Sequence, residues 1–142
     1  MNSLKVYLSG SAKNVDEQFQ NWRQECYTCQ LIGYHPSLKF INPLAHFDYK
    51  RNKPKTDKQC LDLFMWLVDK SDILLVNLDH SENSIGTAME VEHAYCNNIP
   101  IIAFGKKENT WYNWVVERAS VVFDSLSSAI HYIDDSYGDI NR

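Results

Sequence analysis

The run Asp72-Ile73-Leu74-Leu75-Val76-Asn77-Leu78 is almost continuously apolar yet only long enough for a strand, the pattern of a strand buried on both faces. A strand covered on both sides needs helices above and below it, and parallel βαβ units with right-handed crossovers supply them. The rest of the chain fits that demand. Leu4 to Leu8 is a short apolar run stopped by Ser9-Gly10-Ser11, a first strand ending in a tight turn. From Val15 to about Ile32, the residues Val15, Phe19, Trp22, Cys26 and Cys29 recur at helical spacing and give one face that ends near Gly33.

Leu38 to Ile41, between Pro36 and Pro43, reads as a second strand, and the irregular segment from Ala45 to Thr56 is placed to cover a site. Asp57 is then expected to cap a helix carrying Cys60, Leu61, Phe64, Leu67 and Val68 to about Lys70. A third helix is expected from about Ile85 to Cys96, and a fourth strand from Ile99 to Phe104. An aromatic-rich connection spans Thr110 to Trp114, Val121 to Phe123 forms a fifth strand, and Asp124-Ser125 caps a last helix through about Ile133. The alternation predicts an α/β fold: a single domain over residues 1–142, doubly wound around a five-stranded, mainly parallel sheet of flavodoxin-like order, with helices on both faces.

The 142 residues suffice for one such core and not two. A net charge of -4 disfavours a protein that tracks a nucleic-acid polymer, which needs a dense basic surface. The cluster Lys50-Arg51-Asn52-Lys53-Pro54-Lys55 reads as a solvated loop before a phosphate-attracting one. No basic start leads into a long apolar stretch, and no run approaches the roughly 18 apolar residues of a membrane span, so a cytoplasmic protein without membrane contact is expected. Cys26-Tyr27-Thr28-Cys29 has C-x-x-C spacing, but it falls late in a helical pattern and has no second ligand pair. Reduced thiols, no metal and no cofactor are expected.

In open α/β sheets ligands collect beyond the carboxyl ends of the strands, where strand order reverses. Strands one and three are the expected switch pair, which directs attention to Tyr7, Ser9, Gly10 and Ser11 after the first and to Asn77 through Gly86 after the third. The third helix starts with free backbone N–H groups suited to an oxygen-rich ligand, and Ser84, Gly86 and Thr87 stand there. Glu90 follows one turn later. On helix geometry alone it complements the helix dipole or faces the crevice, and Glu92, about 200° around, faces elsewhere. Ala88, Val91, Ala94 and Tyr95 are expected against the sheet. His80 and His93 are read as structural or surface residues.

Four segments together resemble the nucleoside 2-deoxyribosyltransferase family, including the related 2′-deoxynucleoside 5′-monophosphate N-hydrolases. They are Val6 to Gly10, Ser71 to Leu78, Ser84-Ile85-Gly86-Thr87-Ala88-Met89-Glu90, and Ile99 to Gly105. The resemblance implies that Glu90 attacks C1′ of the sugar, forming a covalent glycosyl-enzyme that a second base or water resolves. It implies that Tyr7 hydrogen-bonds and positions Glu90. It places Ser9, Gly10, Ser11, Asn77, Ser84, Gly86 and Thr87 around the sugar and its 5′ substituent. The partners implied are a nucleoside or nucleotide, a free base, and further copies of the chain in a homodimer or higher homo-oligomer. Trp111 to Trp114 would lie at that interface or stack on a base. The family often has an aspartate eight residues before the position of Asp72; here Phe64 stands in its place, Asp62 and Asp69 lie nearby, and the general acid is unassigned. Ser84, where transferases commonly carry an acidic residue, admits a 5′-phosphate as well as a 5′-hydroxyl. A binding module that keeps the cradle without the acid is the non-enzymatic alternative.

Overall fold

The computed structural model describes residues 3–11, 17–46, 56–81, 84–106 and 112–138. In chain order it contains β1 (Leu4–Ser9), α1 (Glu17–Leu31), β2 (Leu38–Ile41), a 3-10 turn (Pro43–His46), α2 (Asp57–Asp69), β3 (Ile73–Asn77), α3 (Ile85–Cys96), β4 (Ile101–Phe104), α4 (Tyr112–Val116), β5 (Val121–Phe123) and α5 (Leu126–Tyr137). The strands form one sheet of order β2-β1-β3-β4-β5, with every neighbouring pair parallel. This is the flavodoxin-like arrangement expected. Strand order reverses between β1 and β3, the point beyond whose carboxyl ends ligands collect in folds of this kind.

β3 is buried at every position, and its alternate side chains serve two cores. Ile73 and Leu75 pack with Val6, Leu8, Trp22, Cys26, Ile130 and Ile133, on the face covered by α1 and α5. Leu74 and Val76 pack with Tyr7, Leu67, Val68, Val91, Ala94 and Val115, on the face covered by α2, α3 and α4. Each such aliphatic side chain contributes about 1.5–3 kcal/mol by leaving water. The same alternation sends Tyr7 toward α3 and its neighbours Val6 and Leu8 toward α1. A one-residue slip of β1 would reverse all three.

Several local expectations are corrected. Thr56, rather than Asp57, caps α2: its hydroxyl accepts from the Gln59 N–H at 3.1 Å, and the Gln59 side chain accepts from the Thr56 N–H at 3.3 Å. That reciprocal capping box satisfies two otherwise unpaired donors, and Asp57 becomes an acid of the first turn. Ser125 caps α5 by accepting from Ser128 N–H at 3.2 Å. The helix runs past Ile133 to Tyr137, where Tyr132 and Tyr137 pack edge to face with centroids 6.3 Å apart. The aromatic connection after β4 contains helix α4, which drives Val115 fully into the core; Thr110 and Trp111 lie outside the described residues, as do the Lys50–Lys55 cluster and most of the segment before α2.

On α3 the sheet-facing residues are Thr87, Glu90, Val91 and Ala94. Ala88 is half-buried and Tyr95 is exposed, because the amphipathic Tyr95 ring stacks under the Arg118 guanidinium, 5.4 Å from its centroid, instead of entering the core. All four cysteines are free. Burial pushes the Cys26 thiol up to about 12, which makes it a small core residue rather than a reactive thiol. No described helix is long and apolar enough to cross a membrane.

Candidate active site

β1 and β3 run side by side, with Ser9 opposite Val76, so both end at the same edge of the sheet. The two loops beyond them are stitched together. Asn77 accepts the Asp79 N–H on its side-chain oxygen at 2.9 Å, an Asx turn that reverses the chain after β3. Ser81, almost fully buried, donates to the Asn77 carbonyl at 2.9 Å and accepts from the Ser11 N–H at 2.9 Å. Gly10 sits against this knot: a Cβ there would stand 3.1 Å from Trp22 and 3.3 Å from the Asn77 Cβ. Glycine therefore lets the β1 loop close onto both α1 and β3.

Glu90 is 5% exposed, although it is a carboxylate. It sits on the second turn of α3, where Ser84 begins the helix by accepting from the Thr87 N–H at 3.2 Å. From β1, Tyr7 donates its phenol proton to Glu90 Oε2, and Ser9 donates its hydroxyl to Glu90 Oε1 at 2.8 Å. Tyr7 and Ser9 are two apart on one strand, so both present to the α3 side. Each carboxylate oxygen thus has a donor, and both donors come from a strand paired on both sides.

The electrostatics follow from that burial. Desolvation raises Glu90 from its ordinary 4.5 to about 7, against the pull of the Tyr7 and Ser9 hydrogen bonds and of the Arg23 charge, which all favour the anion. Burial, reinforced by the Glu90 charge and hydrogen bond, pushes the Tyr7 phenol far above its usual range. Tyr7 therefore remains a proton donor, and Glu90 is poised between acid and carboxylate near neutrality. An oriented carboxylate of this kind can act as a nucleophile or exchange a proton.

Of the residues expected around a ligand, Tyr7, Ser9 and Glu90 come together directly, and Gly10, Ser11 and Asn77 form the adjoining loops. Ser9 serves Glu90 itself. Ser84 and Thr87 are engaged with one another, their hydroxyl oxygens 2.8 Å apart, and Thr87 is buried. Gly86 is exposed with open space where a Cβ would lie, so no protein contact demands glycine there. Asp62 pairs with Lys58 at 2.8 Å on the outside of α2. Asp69 pairs with His93 at 2.7 Å in the last turn of α2, which leads into the amino end of β3, away from Glu90. Phe64 is half-buried against the core that contains Tyr7.

Two participants were not singled out from the sequence. Ser81 lay within a polar run with no distinguishing pattern. Arg23 stands four residues after Phe19 and three before Cys26 and so falls on the α1 stripe, although apolar periodicity alone does not mark a charged residue as part of it. It is 3% exposed. Among the described residues no group of three His, Cys, Asp or Glu is arranged to hold a metal.

The fold and this buried carboxylate define a flavodoxin-like α/β protein with a hydrogen-bonded carboxylate at its β1/β3 switch point. No family model matches the sequence, and no curated protein matches it. Solved structures share the fold. A 2-deoxyribosyltransferase from Bacillus psychrosaccharolyticus superimposes with a TM-score of 0.63 at 16% identity, over 90% of this chain and 91% of that one. The CMP N-glycosidase of Clostridium botulinum gives 0.59 at 16% identity, over 92% and 98%. DNA processing protein A from Helicobacter pylori, a single-stranded DNA binder, gives 0.62 at 14% identity, over 94% and 82%. At these identities the likeness is one of fold, and it spans both N-glycosidic chemistry and DNA binding, so function has to be argued from the site.

Proposed function

We propose that the protein cleaves the N-glycosidic bond of deoxynucleosides through Glu90 and transfers the sugar to another base. The observation that carries this reading is the buried Glu90 carboxylate at the switch point, with Tyr7 and Ser9 each donating to one of its oxygens. An oxygen of Glu90 attacks C1′, and the C1′–N bond breaks with its electron pair leaving on the base, which gains a proton. An incoming base then attacks C1′ and gives up its ring N–H proton to solvent, which balances the proton the first base took up, and the ester bond to Glu90 breaks, restoring the carboxylate. Tyr7 and Ser9 hold the carboxylate in one rotamer, which removes the cost of orienting it during attack. The fold shared with a 2-deoxyribosyltransferase and a CMP N-glycosidase is consistent with this chemistry.

With water as acceptor the same machinery hydrolyses the bond. Ser84 in place of an acidic residue at the start of α3 favours admitting a 5′-monophosphate, because a serine does not repel the phosphate charge. Phe64 supports a second reading, a nucleotide-binding module that lacks a proton donor for the leaving base. Incubation with deoxynucleosides, with and without an acceptor base, and separately with deoxynucleoside monophosphates distinguishes these. Base exchange with a glycosyl adduct on the Glu90 peptide by mass spectrometry is the expected result. Binding without turnover of any of them would overturn the enzymatic reading. The proposal extends to a homodimer or larger homo-oligomer, for which the exposed Ile85, Met89 and Trp114 supply apolar surface; sedimentation at micromolar concentration tests it.

A further inference from the structure

α1 and α3 cover opposite faces of the sheet, yet the Arg23 side chain of α1 reaches the same strand end as Glu90. Arg23 Nη2 donates to the Gly10 carbonyl at 2.9 Å, and its guanidinium lies 4.7 Å from the centre of the Trp22 ring. Trp22 is wedged against Phe104 with centroids 5.4 Å apart. Nε and Nη1 of Arg23 are buried and have no hydrogen-bond partner. A guanidinium stays charged even when buried, and a buried cation whose donors are partly unused requires an anion nearby. β1 ends at Ser9. Gly10, whose carbonyl Arg23 holds, follows directly on Ser9, which donates to Glu90, so the guanidinium stands at the strand end that carries the carboxylate, and its charge favours the Glu90 anion.

We infer that Arg23 is a positioning residue for Glu90: anchored on Trp22 and the Gly10 carbonyl, its buried guanidinium fixes the end of β1 from which Tyr7 and Ser9 hold Glu90 and brings a positive charge to that same strand end. Among the described residues, the polar and charged groups that act on Glu90 are Tyr7 and Ser9 from β1 and Arg23 from α1. The two hydroxyls orient the carboxylate, but neither brings a net charge. Arg23 supplies the charge without making a contact that would occupy an oxygen lone pair. The catalytic consequence rests on Glu90 being the nucleophile; the electrostatic coupling does not.

The coupling is measured on the resting protein by NMR. The Glu90 side-chain carboxyl signal, assigned by its loss in Glu90→Gln, is followed from pH 5 to 9 in the unmodified protein, in Arg23→Met and in Arg23→Lys. Removing the charge is expected to move the Glu90 midpoint up by about one pH unit, and lysine is expected to restore most of it. An unchanged midpoint in a folded Arg23→Met variant would reduce Arg23 to a packing role and overturn the inference. A second readout needs no substitution at Arg23 in the observed protein. Its Nε–H signal, assigned by comparison with Arg23→Lys, is expected to shift with a midpoint near the Glu90 value of about 7 and to stay flat in Glu90→Gln. An Nε–H signal that does not titrate in the unmodified protein also overturns the inference, even if Arg23→Met fails to fold. Absence of turnover would count against the proposed enzyme and leave these titrations intact.

Discussion

Two carboxylates on one helix, Glu90 and Glu92, meet two arginines in opposite ways. Glu92, on the outer side of α3, forms a direct ion pair with Arg118 at 2.5 Å, at the surface and partly open to water. Glu90, on the inner side, pairs with no cation among the described residues; it accepts from two hydroxyls, and the Arg23 charge favours its anion. Water screens the outer pair, so its intimate geometry does little. In the interior a neutral hydroxyl or a more distant charge changes the state of a carboxylate, because desolvation has already brought it to the edge of ionisation. The direct ion pair is the weaker device.

The largest difference between the two should appear in catalysis. Replacing Glu90 with Gln or Ala is expected to lower kcat/KM by roughly 10³-fold or more, since it removes the atom proposed to attack. Glu92→Gln is expected to stay within about twofold, because that surface pair lies outside the site. Parallel assays of base exchange check both. Equal losses in the two variants would break the distinction and leave Glu90 without a special role.

Next in size is a stability effect with a definite sign. Glu90 has a folded-state pKa raised from 4.5 to about 7, so the native state binds its proton more tightly than the unfolded chain does. Its contribution is fully present below pH 4.5 and is lost as pH rises through about 7. The rise corresponds to about 3 kcal/mol across that window. Glu90→Gln, which cannot ionise, should escape this loss. Its denaturation midpoint relative to the unmodified protein should therefore improve between pH 5 and pH 8, as urea titrations at the two values would show. A difference that is flat with pH would mean that Glu90 ionises as freely in the fold as outside it.

How much of this contrast could be read from the sequence depends on the kind of signal. The apolar run of β3 dictated a covered parallel strand, and the strand-helix alternation around it gave the sheet order. Glu90 and Glu92 were separable by helix geometry alone. The detailed surroundings were not, because periodicity counts apolar residues as core and charged ones as surface. That habit put Tyr95 inside, where the structure turns it out to Arg118, and passed over Arg23, which packs on the apolar side of α1. Caps misled in a milder way: Thr56 and Asp57 are both good candidates by type, and only the reciprocal bond with Gln59 decides between them. The general acid stays undefined because Phe64 removes the expected residue and the neighbouring acids are committed to Lys58 and His93.

Tyr7 tests whether hydrogen bonding from β1 matters as much as charge. Tyr7→Phe deletes one donor and keeps the ring that packs beneath α3, so the fold should survive. The Tyr7 bond favours the Glu90 anion; without it the pKa should rise. If the carboxylate is the reactive form, kcat/KM of the unmodified protein should climb with pH through about 7. In Tyr7→Phe that rise should lie at higher pH, with the plateau lowered by about 10- to 100-fold from lost orientation. A lowered plateau with an unmoved midpoint would assign Tyr7 to orientation alone.

The smallest expected effect belongs to the outer pair. Arg118 stacks over Trp114 at 4.6 Å and over Tyr95 at 5.4 Å while bonding Glu92, so a single substitution removes packing as well as charge. A double-mutant cycle with Glu92→Gln and Arg118→Met separates the two. The charge coupling should shift the melting temperature by no more than about 2 °C and fade as salt is raised toward 1 M. The packing part should survive salt, because stacking over the indole and phenol faces depends on contact and on partly desolvated charge. A large salt-resistant coupling between Glu92 and Arg118 would mean that the outer site is sheltered from water as the inner one is. The contrast between the two carboxylates would then have to come from their partners rather than from burial.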